Sequence, residues 1–143
     1  MKKFLSLLLV VVLLAAPLGV SAYAETNYDD LVMPCYDNVD IISAGISKGV
    51  LGFVNCTSDF VSYATDKTFV LTCYLQRTDG ESAWVNYKSK TETYTGKGSY
   101  TISKSWFAPS GYAYRVYTKL QIKNSAGTIV ETATVASAVH YNW

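Results

Sequence analysis

The residues equipped for nucleophilic or metal chemistry are few: Cys35, Cys56, Cys73 and the single histidine, His140. Their separations of 21, 17 and 67 residues contain no close ligand pair of the kind zinc sites use, and no local signature sets a cysteine beside a base. His140 has no sequence neighbour that would tune it as a general base, and it reads as a strand-end residue. Paired carboxylates are the remaining route to hydrolysis. Beyond residue 38 the acids are Asp40, Asp59, Asp66, Asp79, Glu81, Glu92 and Glu131, mostly at expected turns where hydration accounts for them. Asp79-Gly80-Glu81 lacks the ladder of acids that a calcium loop needs. The sequence offers no catalytic group, no metal site and no cofactor motif, so the expectation is a protein that is not an enzyme.

The cysteines acquire a different meaning once the compartment is read. Lys2 and Lys3 precede an apolar run over residues 4–16, and Ser21-Ala22-Tyr23-Ala24 has small residues at alternate positions. These are the regions of a secretory signal peptide spanning 1–24, with cleavage after Ala24 or, as second choice, Ala22. A secreted protein meets an oxidising exterior, where disulfides are the default, and three cysteines allow one intramolecular bond. Cys56 with Cys73 is the expected pair, because each shares parity with apolar residues on its own strand; the loop of about 17 residues would be worth about 3 kcal/mol. Two reduced thiols, buried as small apolar residues, are the open alternative. Cys35 is left over, either an incidental thiol or a point for an intermolecular disulfide.

Without residues 1–24 about 119 remain, enough for one compact domain. The chain has 12 basic and 11 acidic residues; removing Lys2 and Lys3 leaves 10 against 11, a net charge near −1. Such a domain has no general electrostatic pull toward nucleic acid or an anionic bilayer. The run over 4–16 is shorter than the roughly 20 residues a spanning helix needs, so membrane insertion is not expected. The 12 tyrosines and three tryptophans suit half-exposed strand positions as well as binding surfaces.

Residues 25–38 show no periodicity and carry Pro34, an N-terminal arm. From residue 39 to the end, apolar runs recur every 10 to 15 residues between turn residues, the spacing of an all-β sandwich or barrel. Seven strands are predicted, at 39–47, 50–57, 68–77, 83–89, 99–107, 112–123 and 128–140. In the third, Phe69, Leu71, Cys73 and Leu75 share one face and Val70, Thr72, Tyr74 and Gln76 the other. In the sixth, Tyr112, Tyr114, Val116, Thr118, Leu120 and Ile122 face one way, and Ala113, Arg115, Tyr117, Lys119, Gln121 and Lys123 the other. The predicted core is Phe69, Leu71, Leu75, Tyr114, Val116, Leu120 and Ile122.

Gly111-Tyr112-Ala113-Tyr114-Arg115-Val116, the turn Asn124-Ser125-Ala126-Gly127 and the following Thr128-Ile129-Val130 resemble the last hairpin of an immunoglobulin-like or fibronectin-III-like antiparallel β-sandwich. With its leader and its Leu75-Gln76, Trp84-Val85 and Tyr114-Arg115-Val116 strands, the chain also resembles small secreted proteins of Gram-positive bacteria that carry a domain of unknown function. The resemblance covers roughly residues 39–138 and implies a fold rather than an activity. It further implies a tyrosine corner, with Tyr114 or Tyr112 bonding backbone near the connection between the fifth and sixth strands. A Cys56–Cys73 bridge would depart from antibody domains, whose disulfide joins the second and sixth strands.

Two functional classes follow. A binding module would use exposed aromatics, among them Tyr74, Trp84, Tyr87, Trp106 and Tyr117, to stack on sugar rings or anchor a protein partner. A secreted structural or accessory protein would use the same rings only for packing, and a small extracellular hydrolase ranks third. Grouping of three or more aromatics on one face favours binding. The expected binding residues are Tyr74 and Gln76 on the third strand with Arg115, Tyr117 and Lys119 on the sixth, provided those strands are neighbours.

Overall fold

A computed structural model describes residues 36–142. The expected signal peptide and its expected cleavage site, most of the arm, and Cys35 with the intermolecular bond weighed for it lie outside the described residues. Eight strands follow in order: β1 (Val39–Lys48), β2 (Phe53–Ser62), β3 (Thr68–Thr78), β4 (Val85–Thr95), β5 (Gly98–Phe107), β6 (Tyr112–Lys123), β7 (Ile129–Ala136) and β8 (His140–Asn142). One sheet has the order β1-β2-β5; the other has β4-β3-β6-β7, with β8 pairing to the start of β6. Every pairing is antiparallel. The two sheets share one core, so the fold is an all-β antiparallel sandwich.

Alternation builds this core. Phe69, Leu71, Cys73 and Leu75 from β3 and Tyr114, Val116, Leu120 and Ile122 from β6 are wholly buried, the faces that parity assigns them. Opposite them β2 contributes Val54, Cys56 and Phe60, and β5 contributes Ile102. Leu71 stands beside Leu120 in the β3–β6 register, at the centre of the larger sheet. Two polar side chains also sit in this interior: Ser58 and Thr118 are each 0% exposed, and their hydroxyls lie 2.6 Å apart across the sandwich. Thr118 donates to the Ser43 carbonyl at 3.3 Å, which leaves Ser58 to donate to Thr118, and no buried side-chain polar atom among the described residues lacks a partner.

Three strands differ from expectation. β2 runs on through Ser62, because Ser58, Phe60 and Ser62 keep pointing inward while Asp59 accepts from Ser43 and Thr101 on the two flanking strands. β4 runs on through Thr95, past the polar stretch predicted as loop. It is an edge strand with one hydrated face, so threonine suffices there, while Tyr94 turns inward and stacks on Tyr100 at 4.6 Å beside Phe60. The predicted seventh strand is two, β7 and β8, separated where Ser137 turns its backbone and hydroxyl to the Val116 backbone. The tyrosine corner falls to Tyr114, whose hydroxyl donates to the Pro109 carbonyl at 2.7 Å and ties the β5–β6 connection to the core.

Candidate binding surface

The outward face of the larger sheet brings the expected binding residues together. β3 and β6 are neighbours, with Tyr74 opposite Tyr117 and Gln76 opposite Arg115. The Tyr74 and Tyr117 ring centroids are 6.2 Å apart, inclined at 42°. Lys119 lies two residues along β6, opposite Thr72, and Thr72 in turn shares a hydroxyl contact of 2.9 Å with Thr91 on β4. Strand geometry spaces these rows about 7 Å apart along the sheet and about 4.8 Å across it.

The row beyond the tyrosines is a hydrogen-bonded chain. Arg115 Nε donates to Gln76 Oε1 at 2.9 Å, and Gln76 Nε2 donates to Asn86 Oδ1 at 2.9 Å. The Arg115 guanidinium lies 4.4 Å from the Trp84 ring centroid, so the loop before β4 folds its indole onto this face. Trp84, Tyr74 and Tyr117 therefore share one face with Gln76 and Arg115. The other aromatics weighed from sequence turn inward: Trp106 packs against the core, and Tyr87 joins it with the Arg77 guanidinium 4.4 Å from its ring. Asn86 is the member that sequence reasoning missed. A shift of register between Leu75 and Gln76 breaks the β3–β4 parity there, so alternation alone does not bring Asn86 opposite Gln76.

The electrostatics of this face are one-sided. The ion pairs among the described residues are Lys67–Asp66, just before β3, and Lys90–Glu92 on β4. Glu92 stands opposite the core-facing Leu71 and accepts from Tyr94. Burial and that bond to Glu92 push the Tyr94 phenol up to about 12. Glu131 stands opposite the core-facing Ile122, and its carboxylate holds the Asp37 amide and the Asn38 side chain.

The cysteines require a correction. Cys56 and Cys73 both face the core, but both are free thiols, and the expected disulfide is absent. Parity fixes the face a side chain takes and not the local approach of the two Cα atoms across the sandwich, which a disulfide needs within about 4.4–6.8 Å and with the Cβ vectors converging. Burial, with the neighbouring Cys73 adding to it, pushes the Cys56 thiol up to about 12. Burial also raises Cys73, with the nearby Ser58 hydroxyl acting in the opposite direction. Neither is an available nucleophile. The Ser58–Thr118 hydrogen bond now makes the polar tie between β2 and β6, the strands an antibody domain joins by its disulfide.

No group of three or more His, Cys, Asp or Glu side chains among the described residues is arranged to hold a metal. His140 sits on β8 opposite Tyr114. The Asp79 carboxylate is taken up by its own turn, accepting from the Ser82 and Glu81 amides at 2.8 and 3.1 Å, and the Ser82 bond leads the causes that lower its pKa. Neither a comparison with protein-family models nor one with curated proteins finds a match for the chain.

Proposed function

We propose that this chain is a secreted, non-catalytic binding module that engages a glycan or protein partner through the outward face of its larger sheet. One observation carries the reading: Tyr74 and Tyr117 lie side by side, next to a Gln76–Arg115–Trp84 cluster, on a single face. Rings supply apolar area at low entropic cost, and the adjacent amide and guanidinium supply directional donors, the combination that recurs at binding hot spots. The leader and the resemblance to small secreted proteins of Gram-positive bacteria support an extracellular setting.

A glycan-array screen and a pull-down with the purified protein test this reading. Replacing Tyr74 and Tyr117 together by Ala is expected to weaken a detected ligand about tenfold or more while leaving the protein folded. Unchanged affinity would exclude this face, and turnover of a polysaccharide or peptide would replace the reading with a hydrolase.

A further inference from the structure

We propose that the ligand of this face is a linear anionic glycan whose repeated carboxylate or phosphate groups lie along β6 while its sugar rings rest on Tyr74 and Tyr117. The proposal deepens the binding-module reading and rests on it. Arg115, Lys119 and Lys123 all take outward positions on β6, the strand between β3 and β7, with Tyr117 and Gln121 alternating between them. At the rise of an extended strand each cation is about 13 Å from the next. A ligand that uses all three must carry charge repeatedly rather than at one end.

The charge on this row is uncompensated. Among the described residues none of the three cations belongs to an ion pair, and the residues flanking Lys119 in its row are Thr72 on one side and Thr134 on the other. The nearest strands' acids, Glu92 and Glu131, occupy the opposite parity and are already hydrogen-bonded there. A sheet face with three cations and, among the described strand residues in its rows, no carboxylate complements a polyanion.

The alternation on β6 narrows the class further. Cation, ring, cation in Arg115, Tyr117 and Lys119 calls for a chain that presents apolar faces between its charges. Sugar rings do this through their C–H faces, whereas an acidic peptide does not. Single-stranded nucleic acid also alternates rings and charges, but a domain of near-neutral net charge with three cations in one row displaces few counterions.

Affinity would be measured for polygalacturonate, a phosphate-bearing mannan, neutral dextran, poly-glutamate and an oligothymidylate. Binding to either or both anionic glycans, with dextran, poly-glutamate and oligothymidylate at least about tenfold weaker, is expected. The two anionic arms report which group carries the charge. Lys119→Glu with Lys123→Glu should weaken that binding about tenfold or more, because the sites lie within reach of a charged chain at a screening length of about 8 Å. The matched variant Lys48→Glu with Lys104→Glu, on the smaller sheet, should leave it unchanged. Tyr74- and Tyr117-dependent binding to dextran as tight as to the polyuronate would overturn the proposal and leave the binding-module reading standing. Equal binding of poly-glutamate or oligothymidylate would overturn it by showing that charge alone is read. Binding to no glycan, or equal loss in both charge-reversal variants, would also overturn it.

Discussion

Ser58 and Thr118 show how a single polar pair is accommodated in an apolar interior. Each hydroxyl is fully buried; Ser58 donates to Thr118, and Thr118 donates in turn to the Ser43 carbonyl, so the pair offsets its lost hydration internally. Thr118→Val removes a partner and strands the Ser58 hydroxyl, and a loss of about 1–3 kcal/mol is expected in denaturant unfolding. Adding Ser58→Ala to that variant should cost less than the sum of the two single changes, and strict additivity would show that the pair is not coupled. The cysteines pose the complementary case, apolar in behaviour until ionised. Cys56 rises from an ordinary 9.0 to about 12 when folded, so the stability carried by its neutral thiol is complete below pH 9.0 and is lost as the pH climbs from there toward 12. Tyr94 and Tyr114, also raised, act in the same direction. The alkaline decline in unfolding midpoint should therefore be shallower in Cys56→Ala than in the parent, and the native thiols should resist an aromatic disulfide reagent that labels the unfolded chain. Rapid labelling of the native protein would contradict the buried geometry.

Among the elements, the β1–β2 connection is the one whose residues disagree with its backbone. The Phe53 amide bonds the Val50 carbonyl at 3.0 Å, and the two central residues, Leu51 and Gly52, have φ of 53° and 79°. Positive φ at both central positions is a type I′ turn, which favours Asn-Gly and penalises a side chain with a bulky Cβ. Leu51 is 89% exposed and offers little packing in return. Leu51→Asn is expected to raise stability by about 0.5–1 kcal/mol, read as a shift in denaturation midpoint; a loss would mean that the leucine side chain holds a contact worth more than the strain. Sequence pattern reads such places poorly, since Lys48-Gly49 looks like the natural end of a strand and Val50-Leu51 like the start of the next. It reads β3 and β6 well, because their inward residues are apolar and buried at nearly every second position, Thr72 and Ala113 being outward-parity residues that are also buried. β4 is harder: an edge strand needs few apolar residues, and its threonines and lysines carry no inward signal until Phe60 and Tyr100 are seen to receive Tyr94.

At the scale of the whole domain, the described strands form two sheets with no strand paired to both, joined by the core and by three chain crossings, β2 to β3, β4 to β5 and β5 to β6. The juxtaposition at the proposed binding face was legible once β3 and β6 were placed side by side, because parity alone then aligns Tyr74 with Tyr117 and Gln76 with Arg115. The thiol separation was not, because it depends on how far apart the sheets stand, which no alternation records. Among the described residues the two sheets share one hydrophobic cluster, in which Val54, Cys56, Phe60 and Ile102 of the smaller sheet lie with the inward residues of the larger. Loss of either sheet would expose the inner face of the other, so the two should unfold as one unit. Trp84 reports on the larger sheet and Trp106 on the smaller, and each can be made the sole indole by changing the other and Trp143 to Phe. The two fluorescence transitions should share a midpoint and slope in urea after correction for each variant's stability by circular dichroism. Separate midpoints within one variant, the indole signal departing from the backbone signal, would show that a sheet persists without its partner and that the core is not shared.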